Sequence, residues 1–125
     1  MATSEGVKLI SGIAGSAIVV YRLVTLAADG SYDHTGADGA PDGVAAETVA
    51  TVGKVFPLAL PNGSIVKMEA GGVVTAGGKL EAMADGKVQN YAGGVGASFV
   101  GKALTAGVDG QIISVLFTVD LDQVA

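Results

Sequence analysis

The sequence predicts an all-β domain, with one short helix, built as a small β-barrel or sandwich. Short apolar runs recur along the 125 residues, separated by Asn-Gly, Gly-Gly and Asp-Gly pairs, which are typical of tight turns between hairpin strands. Hydrophobic residues make up 50% of the chain but aromatic residues only 5%. The core must therefore consist of small and β-branched side chains, which suit pleated sheets better than ligand pockets. The length is that of one domain.

The strands follow from the apolar runs, each bounded by a turn signal. The predicted strands are Val7–Ile10, Ala17–Leu26, Val44–Ala46, Lys54–Leu60, Ser64–Glu69, Lys79–Met83, Lys87–Tyr91, Phe99–Leu104 and Ile112–Leu121. The segment Ala45–Thr51 is the best candidate for the short helix. Its alanines favour a helix, whereas Thr48, Val49 and Thr51 oppose one, so the segment stays ambiguous.

Glycine pairs, Asn-Gly pairs and Asp-Gly pairs predict the turns. They are Asp29-Gly30, Asn62-Gly63, Gly71-Gly72, Gly77-Gly78, Asp85-Gly86, Gly93-Gly94 and Asp109-Gly110. Positive φ, which glycine adopts readily, is expected at Gly71, Gly77, Gly86 and Gly110.

One segment, Asp29–Gly43, has the composition of a linker and is expected to be a solvated loop. Its acidic side chains and its histidine could bind a hard cation such as calcium through oxygen ligands. The spacing lacks the glutamate that closes an EF-hand loop, so we expect a soluble loop without a metal. The residues considered are Asp29, Asp33, His34, Asp38 and Asp42.

The two halves of the chain contain similar segments in the same order. LVTLAADGSY at Leu23–Tyr32 is similar to KLEAMADGKV at Lys79–Val88, and both are followed by a glycine-led segment, at Gly43 and at Gly101. VFPLAL at Val55 and IISVLF at Ile112 come next. Two interpretations stay open: chance reuse of Ala-Asp-Gly turns, or a duplicated unit that gives the domain a pseudo-twofold axis.

The C-terminal run ends in alternating apolar and acidic residues. One interpretation is a long edge strand whose charges oppose aggregation. The other is that its last residues extend past the domain and pair with a neighbouring subunit, which makes Val119 and Leu121 candidate subunit contacts.

Composition argues against an enzyme and against several classes of partner. The chain has no cysteine and one histidine, and no nucleophile lies in a recognisable relation to a base. Its net charge is −5 and its seven Lys and Arg residues are scattered, which argues against nucleic acid and anionic membranes as partners.

The apolar run Ile13–Val20 is too short to span a bilayer and is interpreted as a strand. Lys67, in the sequence VKME, resembles the modified lysine of biotin-carrier domains, but it lies within a predicted strand.

The order of these turns and strands resembles the capsid decoration, or cement, proteins of tailed bacteriophages. The resemblance rests on the motifs Gly63-Ser64, Ala70-Gly71-Gly72, Ala84-Asp85-Gly86-Lys87-Val88, Val100-Gly101-Lys102-Ala103-Leu104 and Ile112–Leu116. Each motif is weak alone, and their order carries the weight.

The resemblance implies a β-barrel or β-tulip, usually a homotrimer, that binds the outside of an expanded capsid and bridges capsomers. The partner would be the major capsid protein, and the site would be the virion surface, after synthesis in the host cytoplasm. No catalytic residue, cofactor or metal is implied. Residues 1–11 would form an arm, and residues 12–125 the β domain. The candidate capsid contacts in the arm are Ala2, Thr3, Ser4, Glu5 and Val7. The alternatives are a non-catalytic head-fibre or ligand-binding β module and, less favoured, a biotinyl- or lipoyl-like carrier.

Overall fold

The predicted all-β class is confirmed in a computed structural model of the chain, which describes residues 8–36, 39–91 and 99–120. Within these ranges ten strands alternate with short turns, and one 3₁₀ turn covers Ala84–Gly86. The strands are β1 Leu9–Ile13, β2 Leu23–Leu26, β3 Tyr32–His34, β4 Gly43–Ala45, β5 Val55–Ala59, β6 Ile65–Glu69, β7 Lys79–Ala82, β8 Val88–Asn90, β9 Phe99–Ala103 and β10 Ile112–Asp120.

The short helix expected at Ala45–Thr51 is absent. Strand β4 ends at Ala45, and Val49 instead forms an antiparallel bridge with Ile18. The β-branched side chains that opposed a helix in the sequence decide the outcome, because Ile18 is fully buried and Val49 packs against its cluster.

The strands form two antiparallel sheets of five strands each. The first sheet has the order β1-β5-β4-β2-β3, and the second has the order β6-β10-β9-β7-β8. Counted from its own first strand, each sheet therefore has the order 1-5-4-2-3. We name β1–β5 repeat 1 and β6–β10 repeat 2.

The identity of the two topologies confirms duplication as the source of the sequence similarity between the halves. Equivalent residues occupy equivalent register positions: Leu23 pairs with Val44 in repeat 1, as Lys79 pairs with Lys102 in repeat 2. The irregular contacts are duplicated too, since the parallel bridge Ala14–Tyr32 recurs as Ala70–Val88. Chance reuse of a turn does not reproduce strand order, register and bridges together.

The repeats pack head to tail, so the pseudo-twofold axis, which one of the two interpretations included, is wrong. A Cβ built on Gly86 would lie 2.5 Å from the carbonyl oxygen of Leu23 in repeat 1. A Cβ built on Gly30, the equivalent of Gly86, has no heavy atom within 4 Å. A twofold axis would bury both turns equally, so the contact joins two different surfaces of the unit.

The core shows the same asymmetry. Repeat 1 has its own cluster beneath β2, β4 and β5, in which Tyr32 and Phe56 meet edge to face with ring centroids 6.0 Å apart. The larger cluster belongs to repeat 2 but also takes Leu23, Val44 and Ala59 from repeat 1. These three lie in one row of the first sheet, so the face of that sheet turned away from its own core completes the core of repeat 2.

Two segments of repeat 1 differ from expectation. The predicted strand Ala17–Leu26 is a strand only from Leu23, because a turn at Val20–Tyr21 precedes it. The predicted loop Asp29–Gly43 contains β3, in which Tyr32 is buried. Thr35 and Pro41 are also buried. Their packing overrides a polar local composition.

Strand β10 is interior, so its interpretation as an edge strand is wrong. It lies between β6 and β9, pairing with both. Its long apolar run is explained by burial: Ile113, Val115 and Phe117 all point into the core of repeat 2.

The positive φ expected at the turns is present at Gly77, Gly86 and Gly110, but not at Gly71. A Cβ on Gly71 would instead lie 2.5 Å from Met83 Sδ and 2.8 Å from Lys87 Cβ. Close packing, rather than backbone conformation, requires glycine at that position.

Candidate interaction surfaces

A charged network joins the two repeats. Arg22 Nε donates a hydrogen bond of 3.0 Å to Glu69 Oε1, and Lys87 Nζ lies 3.6 Å from Glu69 Oε2. The backbone N–H of Glu69 also donates to the carbonyl oxygen of Tyr21 at 2.9 Å. Burial, the largest single influence, raises the pKa of Glu69, but the Arg22 hydrogen bond and the charges of Arg22 and Lys87 together leave that pKa lowered. Sequence reasoning missed this network because it joins residues of different repeats.

Tyr21 adopts a positive φ at a position where repeat 2 has a glycine, Gly77. Its φ is 69°, and Gly77 has φ 84° at the same place in repeat 2. A bulky residue in this region is strained by roughly 1–2 kcal/mol. Tyr21 lines a cavity of about 250 Å³ between the repeats, with Leu9, Val44, Ala45, Ala46, Ala59, Ile65, Val66 and Lys67. The ring therefore forms part of the wall where repeat 2 meets repeat 1.

His34, which was expected in a solvated loop, lies at the end of β3 and holds a neighbouring segment. Its Nε2 accepts a hydrogen bond of 3.1 Å from the backbone N–H of Val19, and the side chain is half-buried. Burial lowers the pKa of His34, as does the charge of Arg22, against opposing contributions from Asp85, Asp33 and Glu69. The neutral imidazole is thus the form that holds the segment before β2.

Two of the acidic side chains considered as cation ligands, Asp29 and Asp42, have separate local partners. Asp29 Oδ1 accepts hydrogen bonds from the N–H and hydroxyl of Ser31, which lower the pKa of Asp29. Asp42 Oδ2 accepts the N–H of Leu26 at 2.8 Å. In the described ranges, no three His, Asp or Glu side chains form a group that could hold a metal ion. Asp38 lies outside the described residues.

The described part of the chain offers an edge strand as one candidate surface. Among the strands that the structure describes, β1 pairs with β5 alone, and an edge strand can add a strand from another chain. Leu9, Ile10 and Ile13 on β1 are exposed. The candidate capsid contacts Ala2, Thr3, Ser4, Glu5 and Val7 precede this strand and lie outside the described residues, whereas the end of the predicted arm, from Leu9, forms part of β1.

The outer face of the second sheet is the other candidate surface, and we define it by Lys79, Lys102 and Leu116. These residues line a hollow of about 300 Å³ with Phe99, Gly101 and Thr118. Lys79 and Lys102 are directly opposed on neighbouring strands, and Lys79 Nζ lies 4.6 Å from the centre of the Phe99 ring. Only the register brings these two lysines together, and so the sequence did not reveal them.

Two further predicted positions lie on strands of the second sheet. Lys67 is exposed in the middle of β6, opposite Ser114 of β10, and is not on a hairpin turn. Val119 belongs to β10, but its side chain and all of Leu121 lie outside the described residues. The subunit contacts at Val119 and Leu121 stay a prediction.

Of the helical turns described, none is long and apolar enough to cross a membrane.

Comparison with solved structures gives a match over nearly the whole chain. The match covers 90% of this chain and 94% of the other, with a TM-score of 0.73 and 20% sequence identity. The chain has the fold of the head fiber gp8.5 N base of bacteriophage phi29. At this identity, the likeness to the phi29 head-fiber base concerns the fold. No protein-family model matches the chain, and no curated protein matches its sequence.

Proposed function

We propose that the chain is a structural protein of a tailed-phage virion, which binds the outside of the expanded head and stabilises it by bridging capsomers. The observation that carries the proposal is the fold shared with the phi29 head-fiber base over 90% of this chain. The order of turn and strand motifs, which resembles decoration proteins, independently supports a place on a phage head. An enzymatic role has no support from any cluster of side chains found among the described residues.

The partner would be the major capsid protein, contacted through the N-terminal arm. The exposed apolar residues of β1 and its edge position support strand addition, because main-chain hydrogen bonds give affinity without special side chains. Many weak contacts on a repeating lattice would then give firm attachment. The protein would be made in the host cytoplasm and assembled as a homotrimer, without a cofactor, nucleic acid or membrane as partner.

A second candidate is the base of a head fibre, and the identity of the fold neighbour specifically favours it. In that role the chain would hold a protruding fibre on the capsid instead of bridging capsomers. Both roles require attachment to the outside of the head, so a first experiment tests what they share.

Purified protein would be sedimented with expanded heads that lack it, and the copies bound per shell protein would be counted. We expect saturation at a fixed lattice ratio, little binding to unexpanded heads, and weaker binding after removal of residues 2–7. A folded protein that fails to sediment with expanded heads would contradict both roles.

Heating the DNA-filled heads with and without bound protein separates the two candidates. A bridging protein raises the temperature at which the heads release DNA, whereas a fibre base leaves it unchanged. The less favoured carrier function at Lys67 is tested by intact mass, which would reveal an added biotinyl or lipoyl group.

A further inference from the structure

The contact between the repeats provides a template for a contact between chains. In it, repeat 1 offers the face of its sheet that carries Leu23, Val44 and Ala59, all buried. Repeat 2 covers that face with residues that include Val66, Ala82 and the 3₁₀ turn Ala84–Gly86, whose Gly86 N–H donates to the Thr35 carbonyl at 2.9 Å. Each of the two surfaces in this contact has an equivalent surface in the other repeat.

One equivalent is an exposed end of repeat 1, which we define by Ile10, Leu26 and residues 28–30. Ile10 is 37% exposed where its equivalent Val66 is 7% exposed, and Leu26 is 49% exposed where Ala82 is 1% exposed. The apolar side chains that repeat 2 buries against repeat 1 are thus left in solvent at the start of the chain, within the residues described. Such a patch is typical of an interaction site.

The other equivalent is the outer face of the second sheet. Lys79, Lys102 and Leu116 occupy the places of Leu23, Val44 and Ala59. Two ammonium groups directly opposed on neighbouring strands repel each other. The hollow beside them has the apolar side chains of Phe99 and Leu116 in its wall, so this face combines apolar contact area with two positive charges.

The two surfaces are complementary in charge. The exposed end of repeat 1 carries Asp29 on its turn, and Asp42 hydrogen-bonds the Leu26 backbone; both carboxylates are exposed. A lysine can pack its methylene stem on an apolar side chain while its ammonium group reaches a nearby carboxylate. Lys79 and Lys102 can therefore replace Leu23 and Val44 in the same kind of contact when the opposite surface supplies acid groups.

We propose that copies of this chain associate head to tail, the outer face of the second sheet of one copy covering the exposed end of repeat 1 of the next. A contact between two different surfaces closes a ring when its rotation allows, and we propose such a ring. This contact rests on the self-association within the proposed function. Its two surfaces are distinct from Val119 and Leu121.

The test is the mass in solution, measured by sedimentation over about a hundredfold range of concentration, since association follows mass action. Wild-type protein is expected to form an oligomer of fixed size, heavier than the monomer. The double variant K79E/K102E should associate at least about tenfold more weakly, because it faces Asp29 and Asp42 with like charge. The control K54E makes the same change at an exposed lysine of repeat 1, outside both surfaces, and should keep the wild-type mass.

A mixing experiment tests the head-to-tail geometry. L26K weakens only the exposed end, and K79E/K102E weakens only the outer face, so each variant alone should be monomeric at a concentration where the wild type has just assembled. Mixed, they retain one intact surface each and should form a 1:1 complex that grows no further. Circular dichroism melting of each variant verifies the fold.

Three results would overturn the proposal. They are a monomeric wild type, K79E/K102E at the wild-type mass, and folded variants that stay monomeric on mixing. Because no capsid is present in these measurements, they are independent of whether the protein binds heads.

Discussion

Glu69 of the second repeat accepts a hydrogen bond of 3.0 Å from Arg22 of the first. Both side chains are largely shielded from solvent, and the backbone of Glu69 bonds to the residue before Arg22. The pair therefore connects two units that are otherwise complete sheets. Its consequences can be measured.

Replacing Glu69 by glutamine is expected to lower the free energy of unfolding by about 1 kcal/mol, because a charge-assisted hydrogen bond becomes a neutral one. Urea denaturation at neutral pH measures the loss. Glu47→Gln is the control, since Glu47 is an exposed carboxylate in the same chain. Equal effects of the two substitutions would contradict a structural role for the Arg22–Glu69 pair.

His34 predicts a loss of stability in mild acid. Burial first, and the charge of Arg22 second, lower the pKa of His34 below its ordinary value of 6.5. The unfolded state therefore binds more protons between the lowered pKa and 6.5, so stability is fully present above pH 6.5 and falls as the pH drops toward the lowered pKa.

Urea denaturation at a series of pH values measures that window, and the variant His34→Gln should lack the decline. His34 is the sole histidine of the sequence. The pKa values of Glu69 and Asp29 are lowered from their ordinary values of 4.5 and 3.8. The stability that these two carboxylates contribute is therefore lost only below those pH values, outside the His34 window. A wild-type stability that stays flat from pH 7.5 through the His34 window would refute this assignment.

The equivalent glycines Gly30 and Gly86 should respond differently to alanine. Both have positive φ, so each substitution carries backbone strain of about 1 kcal/mol. Gly86→Ala also drives a methyl group into the Leu23 backbone, and a total loss of about 3 kcal/mol is expected. Similar melting temperatures for the two variants would rule out the head-to-tail packing at this turn.

Neighbouring leucines of β2 test the shared core. Leu23 is fully buried in the core of repeat 2, whereas Leu26 is exposed. Leu23→Ala should cost about 3 kcal/mol, and Leu26→Ala less than about 0.5 kcal/mol when both are measured at a dilution that keeps the chain monomeric. Calorimetry should show one transition for both variants, because the same cluster contains residues of both repeats. Two separate transitions in the wild type would mean that the repeats unfold independently.

Much of this fold could be predicted because apolar runs and glycine turns mark most strands. Strand β3 was missed because Tyr32 is the only large apolar residue in a segment of Asp, Gly and Ser. The turn at Val20–Tyr21 was missed because a tyrosine adopts the positive φ that Gly77 provides in repeat 2.

The candidate surfaces were less predictable, for a physical reason. The opposed pair Lys79 and Lys102 exists only through the register of β7 and β9, and the Arg22–Glu69 bond only through the packing of the repeats. Duplication was visible in the similar segments at Leu23 and Lys79, but its head-to-tail geometry was not, because sequence similarity carries no information on which faces meet.

The duplication also changes how one contact depends on dilution. If the two units were separate chains, the burial of Leu23 and Val44 would require two molecules to meet. Joined by the short connection between β5 and β6, they meet at the high effective concentration of a tethered pair. The contact then survives at concentrations where separate units would come apart, and each copy of the unit is free to diverge, one keeping a leucine and a valine where the other has two lysines.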